Sequence, residues 1–149
     1  MNYDLEDKSV RWNVAWFFLL YCTVSLAAVT LFIIVPLKKI IGRDRPEKIK
    51  GVKRVCNMRD LEHGNKSMPS GDTLAASFVL SEYAYIFGLS WWFVGAFVIC
   101  VGIGRVYVHC HWIGDTIFGA VIGRLVVFFF FSAEYFPIMA MPFFKAVCG

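Results

Sequence analysis

The chain has 149 residues, is 58% hydrophobic and carries a formal net charge of +4, with a mean hydropathy of +0.62. That length allows one compact unit, and that hydropathy excludes an ordinary soluble domain of this size. The apolar residues also fall in long blocks rather than in short amphipathic stripes.

The opening "MNYDLEDKSVR" is acidic-rich and lacks the basic start of a signal peptide, so the first apolar block is expected to stay as a membrane helix. That block, Trp12 to Leu37, holds no charge. As a helix of about 39 Å it exceeds a hydrocarbon core roughly 30 Å thick. A basic loop follows over 38–68. Ten of the 15 Lys and Arg lie between Lys38 and Lys66, against Asp44, Glu47, Asp60 and Glu62. Such a charge suits a cytoplasmic loop, an anionic lipid surface or a phosphorylated substrate, and only spacing can separate these.

Three more helices are predicted, over 70–87, 91–108 and 112–132. The first carries Asp72 and Glu82, the second reaches Arg105, and the third carries Asp115 and Arg124. Trp12, Trp16, Trp91, Trp92 and Trp112 stand at or near segment starts, where an interfacial aromatic belt would put them. The tail over 133–149, broken by Pro137 and Pro142, is expected to lie along the interface. The whole reads as a single all-α domain, an integral multi-pass membrane bundle of about four transmembrane helices. The five cysteines show neither metal-type CxxC spacing nor an even disulfide framework.

Threading four spans brings three polar clusters to one face: "KKIIGRDRP", "MPSGD" and "GRVYVHCHWIGD". In the first, Lys38 and Arg45 are seven apart, which on a continuing helix gives them a common face before Pro46 stops it. Two cations so placed can grip the oxygens of one phosphate, or simply anchor the helix at the interface. In the second, Pro69-Ser70-Gly71 opens a helix whose free N–H groups and positive dipole end suit an anion. Ser70 can donate its hydroxyl and Gly71 allows close backbone approach, although the same residues also make an ordinary N-cap. In the third, His111 and Asp115 are four apart, so the carboxylate can hold the imidazole in one tautomer. The other ring nitrogen is then free to attack phosphorus while Arg105 steadies the charge. Ionisable residues inside membrane segments point to function by default.

Together the clusters resemble the type-2 phosphatidic acid phosphatase superfamily of membrane lipid phosphatases, which also includes vanadium-dependent haloperoxidases. That family's pattern reads Lys-x6-Arg-Pro, then Pro-Ser-Gly-His, then Ser-Arg-x5-His-x3-Asp. Here it becomes Lys38, Arg45 and Pro46; then Pro69, Ser70, Gly71 and Asp72; then Gly104, Arg105, His111 and Asp115. The family histidine is replaced by Asp72, and a serine by Gly104.

The resemblance implies a metal-independent, cofactor-free phosphatase. Lys38, Arg45, Ser70, Gly71 and Arg105 would hold the phosphate, His111 would form a phosphohistidine, and Asp115 would orient it. The leaving group would take its proton at position 72, from Asp72, or from His109, Cys110 or His63 nearby. A phosphoanhydride leaving group would need little such help, which favours a lipid diphosphate over a monophosphate. The expected partners are the bilayer and a membrane lipid, not nucleic acid. The alternative is a catalytically inactive family member acting as a scaffold or as a subunit with partner proteins. Glu82 and Arg124, deep below the catalytic face, are predicted to form a structural ion pair.

Overall fold

A computed structural model describes residues 8–47 and 64–132, with side chains over 15–47 and 64–130. The central part of the basic loop, including His63, and the tail over 133–149 lie outside the described residues. Among the described residues the structure is all-helical, with no strand.

Helix α1 (Lys8–Val29) runs through a π turn (Thr30–Ile34) into α2 (Val35–Ile41). Pro36 supplies the reason for the wider turn: it has no N–H to donate, and its ring crowds the carbonyl four residues back. The Val35 N–H accordingly reaches Thr30 O. Helix α2 ends at Gly42, which is left-handed (φ 61°) and donates to Lys38 O, a glycine C-cap. Helix α3 (Gly71–Phe87) ends at Gly88 in the same way (φ 70°). Helices α4 (Trp91–Tyr107) and α5 (Ile113–Ser132) complete the described chain.

The centre of the bundle is the α3–α5 contact. It is close because α5 presents Gly119 and Gly123, one turn apart, to the α3 backbone. A Cβ at Gly119 would stand 2.5 Å from Ser70 O, and one at Gly123 2.5 Å from Leu74 O. Small residues one turn apart are the usual way membrane helices bring their backbones together. Ser77 Oγ adds a bond to Ala120 O at 2.7 Å across the same seam. Leu74, Phe78 and Val127 pack beside it against Val29 and Ile34 of the first helix. Gly123→Ala is therefore expected to push α3 off α5 and cost about 1–3 kcal/mol, the range for overpacking. A lowered thermal midpoint of the detergent-purified variant is the check.

Among the described residues, two helices are long and apolar enough to cross a membrane, Ala15–Ile41 and Ile113–Phe130. Helix α4 is apolar but has 17 residues, and α3, also 17, carries Asp72 and Glu82. Outward faces are strongly apolar, with Phe32 80% and Trp92 90% exposed.

Two expectations need correction. Lys38 and Arg45 do not share a helix face, because Gly42 ends the helix three residues before Arg45. Nor do Glu82 and Arg124 pair. Successive helix positions point about 100° apart. Ser81 therefore looks towards the α4–α5 side, with Arg124, and Glu82 looks towards α1. There Cys22 Sγ donates to Glu82 Oε2 at 3.3 Å, while the Arg124 guanidinium lies 3.5 Å over the Trp91 ring.

Candidate active site

Three separate stretches meet at one end of the bundle: the segment after α2, the segment entering α3, and the link from α4 to α5. The link is shaped by the end of α4. His109 N–H donates to Val106 O and Cys110 N–H to Arg105 O, with His109 left-handed (φ 53°). That is a Schellman ending in which histidine fills the position glycine usually takes. It reverses the chain and delivers His111 to the interior, where it is 1% exposed.

Asp115 is fully buried and is the anchor of the site. Its Oδ2 accepts from Trp112 N–H at 2.9 Å, the reciprocal contact of a capping box at the start of α5. The same oxygen accepts from Ser67 Oγ. Oδ1 faces Arg43 NH1 at 3.2 Å, and Asp115 O accepts from Ser70 N–H at 3.0 Å. One residue thus ties all three stretches together. Arg43 and Ser67 are the partners that sequence reasoning missed. The signal available was Arg43 within "GRDRP" and Ser67 just ahead of "MPSG".

His111 Nδ1 stands 3.8 Å from Asp115 Oδ2, beyond hydrogen-bond length, and has no hydrogen-bond partner among the described residues. Catalytic contacts often stay long until substrate is bound. Burial, then the nearby charges of Arg45, Arg105 and Lys38, hold the imidazole well below its ordinary value, at about 4, while the Ser67 carbonyl pulls the other way. The ring is therefore neutral at pH 7, with three cations near it.

Those cations reach the site by different routes. Lys38 Nζ donates to Lys66 O at 3.1 Å. Arg45 Nε donates to Asn65 O at 2.8 Å and its NH1 to Cys110 O at 3.0 Å, next to His111. The convergence expected from a shared helix face is thus made instead through the carbonyls of 65–66. Arg105, 7% exposed, comes from the last turn of α4.

Ser70 is buried and caps α3, with its Oγ 3.0 Å from Thr73 Oγ1 and accepting from Thr73 N–H at 3.5 Å. The N–H groups of Gly71 and Asp72 have no hydrogen-bond partner among the described residues. A Cβ on Gly71 would meet nothing within 4 Å, so the approach to them is open. Asp72 is half-exposed and forms an ion pair with Arg105, Oδ2 to Nε 2.9 Å. The carboxylate in the place of a histidine therefore sits on a cation suited to phosphate. Cys110 is buried and His109 half-buried.

The sequence matches the family model of the PAP2 superfamily over residues 15–137, which takes in every residue of the site. The chain belongs to the PAP2 superfamily. No curated protein and no solved structure matches it. Members of the PAP2 superfamily are in general phosphatases, and the match supports a phosphoric ester hydrolase as the broad class.

The neutral His111 has a consequence for stability. An unfolded chain takes up the histidine proton near pH 6.5, whereas the folded chain resists it down to about 4. Stability is thus full above pH 6.5 and falls as the pH drops from 6.5 towards 4, by about 3 kcal/mol in all. The thermal midpoint of the parent is expected to fall more than that of His111→Gln between pH 7 and pH 5. An equal fall in both would mean that the ring is not held neutral.

Proposed function

We propose that this PAP2 superfamily protein is a multi-pass membrane phosphatase. It hydrolyses a lipid phosphate or diphosphate through a phosphohistidine, without metal. The observation that carries the reading is the buried, neutral imidazole of His111, with the charges of Lys38, Arg45 and Arg105 close by. Neutral imidazole is the nucleophile, the cations and the Gly71 and Asp72 N–H groups take the phosphate oxygens, and the positive helix end adds to them.

In the first step the His111 nitrogen remote from Asp115 bonds to phosphorus, and the bond from phosphorus to the leaving oxygen breaks. An alkoxide leaving group takes a proton at that moment; a phosphate leaving group departs as an anion. Water then attacks the phosphohistidine, the P–N bond breaks, inorganic phosphate leaves, and the ring returns neutral. Asp115, anchored by Ser67, Trp112 N–H and Arg43, steadies the imidazolium-like charge that forms in between.

A lipid substrate is supported by a groove of about 500 Å³ between α4 and α5. It begins at Thr73 and Val106, neighbours of Asp72 and Arg105, and runs along Gly102 and Ile117 to Val98 and Ala120. Its wall is almost wholly apolar, as a hydrocarbon chain requires. The exposed apolar faces of α1, α4 and α5 support a bilayer around the bundle. Position 72 favours a diphosphate, whose departing phosphate needs little acid assistance.

A second reading, a catalytically silent scaffold, is favoured by one observation: Asp72 already occupies Arg105. Phosphate release by purified protein in detergent, without added metal, from a lipid monophosphate and a lipid diphosphate separates the two. Release from either supports the phosphatase. No release, by protein shown to be folded, leaves the scaffold.

A further inference from the structure

Towards the end of the bundle opposite the candidate active site lies another cavity, mostly apolar but carrying a few polar groups, that the proposed reaction does not use. It has a volume of about 350 Å³, and its lining includes Ser77, Ser81, Trp91, Gly95, Val98 and Arg124. Three features set it apart from a gap between apolar helices. Arg124 is exposed and forms no ion pair among the described residues, which leaves its guanidinium open to an anion at the membrane surface. Trp91 holds the guanidinium in place, 3.5 Å from ring centroid to Cζ, so the cation is positioned over the ring face. Ser81 is fully buried, yet its hydroxyl has no hydrogen-bond partner among the described residues. Such a group is expensive to leave unsatisfied.

The cavity also lies where a headgroup would be. Helix α4 begins at Trp91 and reaches the candidate site only at Arg105, near its other end. Arg124 is well past Ile113, where α5 leaves that site. Trp91 and the 90% exposed Trp92 mark the far interface. From the unpaired cation, the orphaned hydroxyl and this depth, we infer that Arg124, Ser81 and Trp91 bind the anionic headgroup of a membrane lipid in the leaflet remote from the active site. Arg124 meets the phosphate through its N–H edge, and Ser81 donates its hydroxyl. The inference rests on the membrane-spanning part of the proposed function and not on its chemistry.

The test uses phosphatidylglycerol, a phosphodiester that a monoester phosphatase does not cleave. Full-length protein is first recovered from alkali-washed membranes; release into the soluble fraction would overturn the membrane reading and this site together. In phosphatidylcholine nanodiscs, added phosphatidylglycerol is expected to raise the thermal midpoint. Its apparent affinity should fall about tenfold in Arg124→Gln and be largely kept in Arg124→Lys. Ser81→Leu, which fills the cavity without touching the cation, should weaken it likewise and stands in should Arg124→Gln not fold. The same rise with phosphatidylcholine alone, or with inorganic phosphate alone, would overturn the assignment. So would an affinity unchanged in Arg124→Gln and Ser81→Leu. Phosphate release from a lipid monophosphate, measured on the same nanodiscs, reports on the proposed function separately.

Discussion

His111→Ala is expected to lower phosphate release by about 10⁴-fold or more, with the protein still folded. The size follows from the role: with no imidazole there is no covalent intermediate, and only the cations and helix end remain to favour hydrolysis. The substitution also removes a buried ring, so a thermal midpoint must accompany the rate. The neutral, partly isosteric His111→Gln gives the same loss of rate with less loss of packing. Binding should survive, because Lys38, Arg45 and Arg105 do not depend on the ring for their places: the first two are held by the carbonyls of 65–66, and Arg105 by α4. A variant that binds a lipid phosphate and does not turn it over is the expected result. Release that persists within about tenfold of the parent would remove His111 from the mechanism.

Asp72→His is expected to raise turnover of a lipid monophosphate by about 10²-fold, the lower end of what a positioned acid contributes. A lipid diphosphate should gain much less. The parent carboxylate is tied to Arg105 at 2.9 Å and is the wrong partner for an incoming anion. Asp72→Ala isolates that second effect. It frees Arg105 and should lower KM for both substrates without raising kcat. If histidine at 72 does no better than alanine, position 72 does not face the leaving oxygen, and the preference for a diphosphate loses its basis.

What the sequence made legible was local. The four-residue step from His111 to Asp115, the helix start at Ser70 and the stop after Lys38 each depend on a few neighbouring residues. The helix start at Ser70 is found where the sequence put it, whereas the first helix stops at Gly42 rather than at Pro46 and His111 lies just ahead of the helix that carries Asp115. What escaped was settled by competition over long separations. Asp115 was expected to serve His111, yet Arg43, 72 residues away, and Ser67, 48 away, reach its oxygens first. No periodicity records that. Gly42 was a readable C-cap that Pro46 overshadowed, and the error put Arg45 on the wrong element while leaving it at the right site. Glu82 and Arg124 were paired by depth alone. Depth fixes the height of a side chain in a bundle, whereas the 100° step between Ser81 and Glu82 decides which neighbour it faces.

On the proposed reaction, phosphate passes through His111. The most direct test is to quench the protein in base seconds after mixing with a lipid diphosphate, digest it, and weigh the peptide that carries His111. The expected result is one phosphoryl group on that histidine, stable in base, lost in acid, and present in larger amount when water attack is slowed. Phosphate release with no phosphorylated His111 at any quench time would rule out a phosphohistidine at this position.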